Sequence, residues 1–446
     1  MFHRYWTFAT ISIAISFAIA AGNRARAQQP VQVRPASAAI PAETLPPGRP
    51  NPARGPADAL TLDVLEGMAL QYNPSLARAQ AVAAAARGNW LQVGLKPNPA
   101  IGYAGYQLGS GGVAEQNGVL FEQEIVPHRK LALNRQIANH EIDQREREIG
   151  MQEQRVLTDV RIAFYEALLA QRSLDLAGQF FSVAEQGQQA AQRLQRAGEG
   201  TKVDALQANI EVYNAEIELN VARNRHQAAW QRLTAVVGVP QLVPSGLCGE
   251  LEQPPPNLDW DQSLAFLLAS SPEVGAAAAN AERAGAALAR ARAEPLPNLR
   301  FQGGVVQDQA IGGKTNGIVQ LLLPLPIHNR NQGAIRQAES ELIAAQLAVQ
   351  QVQLDLQNRL APVFERFSNA ASQVRRYRQQ ILPDAEESLR LVRRGYEAGE
   401  FPFLNLLNAQ RTYFQTNLRF LNSLRDLRLA TIEIEGLLLQ DSLASR

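Results

Sequence analysis

The sequence lacks most of the features that mark disulfide-bonded proteins and helical membrane proteins. Only one of its 446 residues is a cysteine, so no internal disulfide can form, and we expect the thiol of Cys248 to be packed or idle. Beyond the N-terminal region, no stretch of about 18 uninterrupted apolar residues appears. This absence argues against membrane-spanning helices in the mature chain.

Catalytic and phosphate-binding motifs are also missing. The sequence contains no recognisable Ser/His/Asp set, no Cys/His pair, no P-loop and no HExxH motif. Its 43 Lys and Arg residues are balanced by 42 Asp and Glu residues, so it has no basic excess of the kind that nucleic-acid-binding proteins carry. The sequence therefore predicts a protein that is not an enzyme, needs no cofactor and binds no nucleic acid.

The N-terminus reads as an export signal. Basic residues precede an apolar run over residues 8–21, and Ala25-Arg26-Ala27 gives the small-x-small pattern of a cleavage site. We expect residues 1–27 to be a cleaved signal peptide. A membrane anchor is the alternative, although the run is shorter than the roughly 20 residues of a spanning helix. No cysteine stands near the cleavage point, so no lipid anchor is predicted.

Aromatic residues make up only 6 % of the chain, whereas Ala, Gln, Leu, Arg and Glu dominate long tracts. This composition favours extended helices over a compact enzyme fold. The chain also looks duplicated, because punctuating residues recur at a nearly constant offset. Pro97-Asn98 recurs at 297–298 and His128 at 328, an offset of 200, and Ala197-Gly198-Glu199 recurs at 398–400, an offset of 201.

The fold class that follows is mainly α with a small β part, arranged as two repeats of helix, β-hairpin, long helix, turn and helix. Residues 28–60 are rich in Pro and Ala and are predicted to form an extended arm. The remaining segments are a first repeat at 61–238 with strands at about 99–108 and 117–126, a linker at 239–258, a second repeat at 259–440 with strands at about 299–308 and 315–325, and a tail at 441–446.

The predicted strands alternate between apolar and polar residues. Val119, Phe121 and Ile125 fall on one face, while Glu122 and Glu124 fall on the other. A barrel wall between lipid and a wet lumen has this pattern, and a small soluble sheet is the alternative. Four strands are too few for a barrel of eight or more, and an open edge cannot sit in lipid. If the strands enter a membrane, two or three copies must close the barrel.

The long helix of the second repeat, predicted from Asn329 to Arg394, carries a coiled-coil seam. Apolar residues step by three and four along it, with Arg359 as the one break. At 1.5 Å per residue such a helix is roughly 100 Å long. Pro362 and Pro383 lie inside it, so we expect kinks at both positions.

Three motifs carry a resemblance to a known family. PLPIHNRNQG at 324–333, GLKPNP at 94–99 and RRGYEAGEF at 393–401 occur in the right order within the duplicated plan. The chain resembles the TolC-type outer membrane efflux channels over residues 60–440. It is most similar to the subclass that works with heavy-metal RND pumps.

The resemblance implies a homotrimer with a twelve-stranded β-barrel in outer membrane lipid and an α-helical barrel reaching into the periplasm. It implies two further partners, a periplasmic adaptor (membrane fusion protein) and an inner-membrane RND transporter. The channel would be a passive exit duct for heavy-metal cations. Two alternatives use the same channel for drugs and organic solvents or for a polypeptide. An alternative of another class is a periplasmic coiled-coil adaptor or scaffold.

The resemblance also assigns roles to residues at the turn between the helices of each repeat. A Gly just past a helix end is commonly its left-handed cap; in the family this turn is also the periplasmic tip that the adaptor contacts. The matching residues are Gly198, Glu199, Gly399 and Glu400.

Four more residues match the family's pore constriction and its latch. Asp204 and Tyr396 are candidates for a hydrogen-bonded latch between neighbouring coils. Asn405 and Asn408 stand where the best-known members carry pore-narrowing aspartates. Because an amide offers only a dipole, the resemblance implies weaker cation selectivity at this constriction.

The remaining candidates lie where strands give way to long helices. Prolines are tolerated at a strand end, and Asn329 or Asn331 could cap the following helix. The two matched histidines invite a metal-site reading, but a metal site needs three or four ligands, so an interfacial or hydrogen-bonding role is favoured and no metal is predicted. The predicted junction residues are His128, Pro324, Pro326, His328 and Asn329.

Overall fold

The computed structural model describes residues 60–108, 114–198, 200–254, 256–310 and 312–444. The predicted signal peptide, almost all of the Pro/Ala-rich arm and Glu199 lie outside these residues. Residues 56–446 form one structural unit. In the described ranges none of the helices combines the length and the apolar character needed to cross a membrane.

The described part of the chain contains nine α-helices, one π-helical turn and four strands. In chain order these are α1 Leu62–Tyr72, α2 Pro74–Val93, β1 Ala100–Leu108, β2 Ala114–Ile125, α3 His128–Ala197, α4 Lys202–Val237, α5 Trp260–Ser270, α6 Pro272–Ala293, β3 Leu299–Asp308, β4 Lys314–Leu322, α7 Gln332–Arg376, the π turn Tyr377–Ile381, α8 Leu382–Glu397 and α9 Phe403–Glu435.

The breaks between α1 and α2 and between α5 and α6 have the same local cause. Asn73 and Ser271 each cap the second helix of their pair, and Pro follows at the first helical position, where its missing N–H is harmless. Asn73 Oδ1 accepts the N–H of Ser75 at 3.0 Å, and its Nδ2 donates to the carbonyl of Val236 in α4 at 2.8 Å. The first cap therefore also ties α2 to the end of α4.

The long helices extend as the sequence predicts, but the two expected kinks have different outcomes. α3 has 70 residues, which corresponds to roughly 105 Å. Pro362 lies inside α7 without ending the helix. Before Pro383 the helix widens into the π turn, where the N–H of Leu382 donates to the carbonyl of Tyr377. A π turn holds one residue more than an α turn, and the repeat offset rises from 200 to 201 between His328 and Ala398.

The predicted coiled-coil seam of α7 is buried along most of its length. Arg359, where the seam breaks, forms an ion pair with Glu273 of α6 and another with Asp355 at 2.9 Å. The charged residue therefore joins α7 to α6 at the edge of the core. The predicted seam residues that are buried are Ala338, Ala345, Leu356, Val363, Phe367, Ala370 and Val374.

The four strands form one antiparallel sheet in the order β1-β2-β3-β4. In the first hairpin Ala100 pairs with Glu122, and in the second Arg300 pairs with Leu322. Both pairs are related by the offset of 200, so the two hairpins have the same register. The repeats meet between β2 and β3, where Phe121 pairs with Gly303.

Several predicted boundaries are wrong by a few residues. The long helix predicted at 329–394 runs from Gln332 to Glu397. β4 ends at Leu322 rather than at 325, because Pro324 cannot donate to a ladder; Pro324 and Pro326 follow the strand rather than end it. β2 begins at Ala114, three residues earlier than predicted. α9 ends at Glu435 and Gly436 follows as its C-cap, so the last helix does not reach 439.

The main core lies where α1, α3, α4, α5, α7 and α9 meet. Its largest fully buried side chains are Leu65, Phe164, Leu168, Leu233, Leu267, Leu356, Leu360, Leu424 and Leu427. Arg428 of α9 is buried beside this core and donates from Nε to the carbonyl of Leu251 and from a terminal nitrogen to that of Gln253, both at 3.0 Å. These bonds fix the segment that links the two repeats.

Candidate functional site

One face of the sheet is apolar and exposed. We call this the apolar sheet face. The strand pairings place its residues on the same side of the sheet, and each is between 42 % and 78 % exposed. A contiguous exposed apolar surface marks a contact with a membrane or with a partner protein. The residues are Ile101, Tyr103, Val119, Phe121, Ile125, Val305, Val319 and Leu321.

The opposite face, the polar sheet face, carries paired charges and amides. Arg300 Nε lies 3.4 Å from Glu122 Oε1, and Gln302 Nε2 donates to Glu122 Oε2 at 3.1 Å. Nearer the hairpin loops, Gln116 Nε2 donates to Asp308 Oδ2 at 2.8 Å. The predicted alternation of Val119, Phe121 and Ile125 against Glu122 and Glu124 is therefore confirmed by the register of the strands.

Both edges of the sheet are free. In the described part of the chain β1 pairs only with β2, and β4 pairs only with β3. Each edge thus presents backbone N–H and C=O groups that need a partner, either water or another strand. In lipid only another strand would satisfy them.

The two turns at the far ends of the helical hairpins are left-handed glycine caps. Gly198 has φ 81° and Gly399 has φ 76°. Around them the N–H of Gly200 donates to the carbonyl of Leu194 at 3.0 Å, and that of Glu400 to the carbonyl of Gly395 at 2.8 Å. A Cβ at Gly198 or Gly399 would meet no atom within 4 Å, so the backbone conformation alone requires glycine. Glu199 lies outside the described residues.

Asp204 and Tyr396 lie near each other, but each has its own local contacts. Asp204 forms a capping box with Thr201, whose hydroxyl donates to Asp204 Oδ2 at 2.6 Å. The Tyr396 ring lies 5.8 Å from that of Phe403. Burial, and then the charge of Asp204, raises the pKa of the Tyr396 phenol. Among the described side chains no hydrogen bond joins the two, so the latch stays a prediction.

Asn405 and Asn408 are exposed on α9, and the described hydrogen bonds involve neither side chain. They begin a row of exposed polar residues spaced by three or four, which we call the polar stripe of α9. The row contains no carboxylate. Its members are Asn405, Asn408, Thr412, Gln415, Arg419 and Asn422.

An ion pair that the sequence does not predict joins the two repeats close to this stripe. The Glu211 side chain in α4 is 3 % exposed and that of Arg411 in α9 is 43 % exposed, and Arg411 Nε donates to Glu211 Oε2 at 2.7 Å. This hydrogen bond is the main reason why the pKa of Arg411 is raised, against a smaller opposing effect of burial. In the sequence both residues look like ordinary solvated charges on helix faces.

The junction residues are exposed and form no metal cluster. His128 begins α3, and His328 lies between β4 and α7. No group of three or more His, Cys, Asp or Glu suited to a metal occurs in the described ranges. The predicted caps of α7 are wrong: Asn331 has φ 61° and no side-chain cap bond, because its Nδ2 donates to the carbonyl of Ala291 at 2.8 Å. Asn329 Oδ1 instead accepts the N–H of Asn331 at 3.0 Å.

A second unpredicted cluster centres on Lys130, which is 2 % exposed. Its Nζ donates to Asn298 Oδ1 at 3.1 Å and lies 3.4 Å from Glu294 Oε1. Burial raises the pKa of Glu294, but the hydrogen bond and charge of Arg290 together with Lys130 outweigh it and leave that pKa lowered. The cluster joins the start of α3 to the end of α6 beside a cavity of about 580 Å³, which is lined by Glu124, Lys130, Glu294, Asn298, Arg300 and Pro324.

Comparisons with known proteins agree with this architecture. The family model "Outer membrane efflux protein" matches residues 65–239 and again 264–438. The chain is 34 % identical over 289 residues to the cobalt-zinc-cadmium resistance protein CzcC of Cupriavidus metallidurans, covering 62 % of this chain and 66 % of CzcC. It is 26 % identical over 278 residues to the alkaline protease secretion protein AprF of Pseudomonas aeruginosa, covering 59 % and 57 %. The aligned part is less than two thirds of each relative.

Among solved structures, the crystal structure of CusC matches with a TM-score of 0.70 at 16 % identity, covering 86 % of this chain and 93 % of that one. This likeness shows a shared fold, and the predicted two-repeat, mainly helical fold class is confirmed. The prediction that the chain is not an enzyme is confirmed by the family match. Because that family model matches both halves and most of the chain, the protein belongs to the outer membrane efflux protein family.

Proposed function

We propose that this chain is the outer membrane channel of a tripartite efflux system and that it gives heavy-metal cations a passive exit. The observation that carries the proposal is the sheet, whose apolar face is exposed, whose other face carries paired charges and whose two edges are free. A wall between lipid and a wet lumen needs these three properties together. The likeness to CzcC supports metals as the cargo.

The arrangement we propose is a homotrimer. Three sheets of four strands make the twelve-stranded barrel, which lies in the outer membrane, while the long helices reach into the periplasm. A periplasmic adaptor and an inner-membrane RND transporter complete the system and supply the energy. The adaptor contacts are assigned to Gly198, Glu199, Gly399 and Glu400. Of these, Gly198, Gly399 and Glu400 lie in the turns that end the helical hairpins. The signal peptide, the domain limits given above and the absence of a lipid anchor belong to the same proposal.

Deletion of the gene should make cells more sensitive to divalent metals such as Co²⁺, Zn²⁺ and Cd²⁺, and the wild-type gene should restore resistance. Growth is measured over a concentration series of each metal and, in parallel, of organic solvents and drugs. Sensitivity confined to the organic compounds would overturn the metal assignment and favour the drug channel. Loss of a secreted protein without metal sensitivity would favour polypeptide export, the role in the name of AprF.

The alternative of a periplasmic adaptor or scaffold is disfavoured by the exposed apolar sheet face and by the family match. Cell fractionation separates the two proposals, because a channel should be extracted from the outer membrane only by detergent. Recovery of the mature protein from the aqueous periplasmic fraction would contradict the channel.

Asn405→Asp and Asn408→Asp should each raise the preference of the open pore for cations. Three copies place a ring of added carboxylates at one level of the pore, where the natural chain offers only amide dipoles. Single-channel recording in asymmetric KCl measures the change as a shift of the reversal potential. Asn405→Gln, which keeps an amide at the same exposed position, is the control that adds no charge. An unshifted reversal potential in both Asp variants would contradict the placement of Asn405 and Asn408 at the pore constriction.

A further inference from the structure

We propose that copies of this chain join through the surfaces that already join its two repeats. The π turn and α8 of one copy then pack on an apolar stripe on α4 of the next copy, and β4 of the first copy pairs with β1 of that next copy, with Leu321 opposite Tyr103. The inference rests on the proposed trimeric channel and deepens it by assigning the residues of its subunit interface.

The stripe lies along the outside of α4. Its residues are spaced by three or four, as in a coiled-coil seam, and each is between 36 % and 61 % exposed. No described part of the chain covers them. We call this set the α4 stripe, and it consists of Val203, Leu206, Ile210, Tyr213, Ile217 and Val221.

The matching positions of the second repeat show what such a stripe binds. With the offset of 201, Leu206 corresponds to Leu407 and Tyr213 corresponds to Phe414, which are only 4 % and 6 % exposed. Phe414 stacks on Phe180 of α3, with ring centroids 4.1 Å apart. At the level of Phe414 the stripe of the second repeat is therefore covered by the long helix of the first repeat, whereas its two end positions, Leu404 and Asn422, stay exposed.

The same offset identifies the partner of the α4 stripe. Phe180 corresponds to Ile381, the last residue of the π turn, which is 37 % exposed. In a closed ring the second repeat of one copy is followed by the first repeat of the next. Tyr213 of one copy and Ile381 of its neighbour then take the places of Phe414 and Phe180, and each covers apolar surface that the single chain leaves in water.

The interface between the two repeats of one chain and the proposed interface between copies differ in charge. Within the chain Arg411 pairs with the buried Glu211. The corresponding positions at the interface between copies are Ile210 and Thr412, which cannot form an ion pair. We therefore expect the contact between copies to be apolar at this level and little affected by salt, because salt screens exposed charges.

The strand pairing independently supports the inference that contacts between copies repeat the contacts between the two repeats. The two hairpins have identical registers under an offset of 200, so the pairing of Phe121 with Gly303 between the repeats transfers to Leu321 and Tyr103 between copies. Both of these residues belong to the apolar sheet face, so the transferred register keeps that face continuous around the barrel. A register slip by one residue would move every side chain of the strand to the opposite face of the sheet.

Cysteine crosslinking tests both contacts. In a Cys248→Ser background, one variant carries Tyr213→Cys with Ile381→Cys, and another carries Tyr103→Cys with Leu321→Cys. A short thiol-to-thiol crosslinker applied to outer membranes should produce chains linked into dimers and trimers on denaturing gels. All four positions are exposed, between 37 % and 72 %, in the single chain, so we expect the substitutions to leave folding unchanged.

Two controls test the register. Tyr213→Cys with Leu391→Cys uses an apolar residue that is more exposed than Ile381, 51 % against 37 %, and lies about 15 Å further along the helix. Tyr103→Cys with Leu323→Cys shifts the strands by two residues, about 7 Å. If a double variant fails to assemble, the two cysteines are placed on separate chains that carry different affinity tags and are produced in the same cells. A crosslinked product that carries both tags then takes the place of the crosslinked dimers and trimers as the readout.

Crosslinks at the proposed pairs that exceed those at both controls by at least tenfold would support the inference. The native mass of the purified protein in detergent separates the other outcomes. A trimer without these crosslinks, or with crosslinks in the control pairs instead, would overturn the assigned interface without contradicting the proposed trimeric channel. A protein that stays monomeric in detergent and in lipid would overturn both the interface and the trimeric channel.

Discussion

Replacing Arg411 with Gln should lower the free energy of unfolding by about 3 kcal/mol, because it leaves the buried carboxylate of Glu211 without its cation. Removal of one partner of a buried ion pair typically costs about 3–5 kcal/mol, and the lower end applies because Arg411 is itself 43 % exposed. Thermal unfolding of the purified protein in detergent, followed by circular dichroism, measures the loss.

The reverse change, Glu211→Gln, should cost less, since the freed guanidinium can reach water. A double replacement by two leucines should recover much of the stability, as similar-sized apolar pairs often do. Arg393→Gln is the matched control, because Arg393 pairs with Glu397 at 3.2 Å on the surface, with side chains 69 % and 62 % exposed. Surface pairs contribute about 0–1 kcal/mol. Equal losses for Arg411→Gln and Arg393→Gln would contradict the importance of the buried carboxylate.

Gly238→Ala should destabilise the protein by more than 2 kcal/mol. Gly238 ends α4 with φ 81°, a left-handed conformation that costs an L-residue roughly 1–2 kcal/mol. A Cβ here would also lie 2.7 Å from the carbonyl oxygen of Tyr72 and 3.0 Å from the backbone nitrogen of Asn73. Because the clash is with backbone, α1 and α2 must move away from α4 to relieve it.

Gly198→Ala separates the two contributions. Gly198 has the same φ of 81° but open space where the Cβ would stand, so only the cost of the left-handed conformation remains. Both variants are compared by the same thermal unfolding measurement. If Gly238→Ala costs no more than Gly198→Ala, then the packing of the α1–α2 junction against α4 tolerates displacement.

The elements that could be predicted from the sequence are those set by local chemistry. The helix starts after Asn73 and Ser271 follow from a capping side chain and a proline, and the faces of the sheet follow from the two-residue period. Both are properties of a few neighbouring residues. The repeats add an independent check, because each half predicts the other.

The features that the sequence does not predict depend on contacts between distant residues. Lys130 is charged and follows His128 and Arg129, so its burial against Asn298 and Glu294 cannot be anticipated from its neighbours. The pairing of Glu211 with Arg411 depends on how α4 and α9 are rotated against each other. Asn331 has the chemistry of a cap, but its amide bonds to α6 instead, a tertiary contact that overrides the local preference.

The π turn at Tyr377–Ile381 makes the two halves of the molecule unequal in a way their sequences conceal. One additional residue in an uninterrupted α-helix would advance the side chains beyond it by about 100° around the axis, but the π turn takes up the residue within a single wider turn. The first half runs from His128 to Ala197 without such a step. With the additional residue taken up in the π turn, the last turns of the second half keep the azimuth of the corresponding turns of the first half, in agreement with the offset of 201 beyond this point.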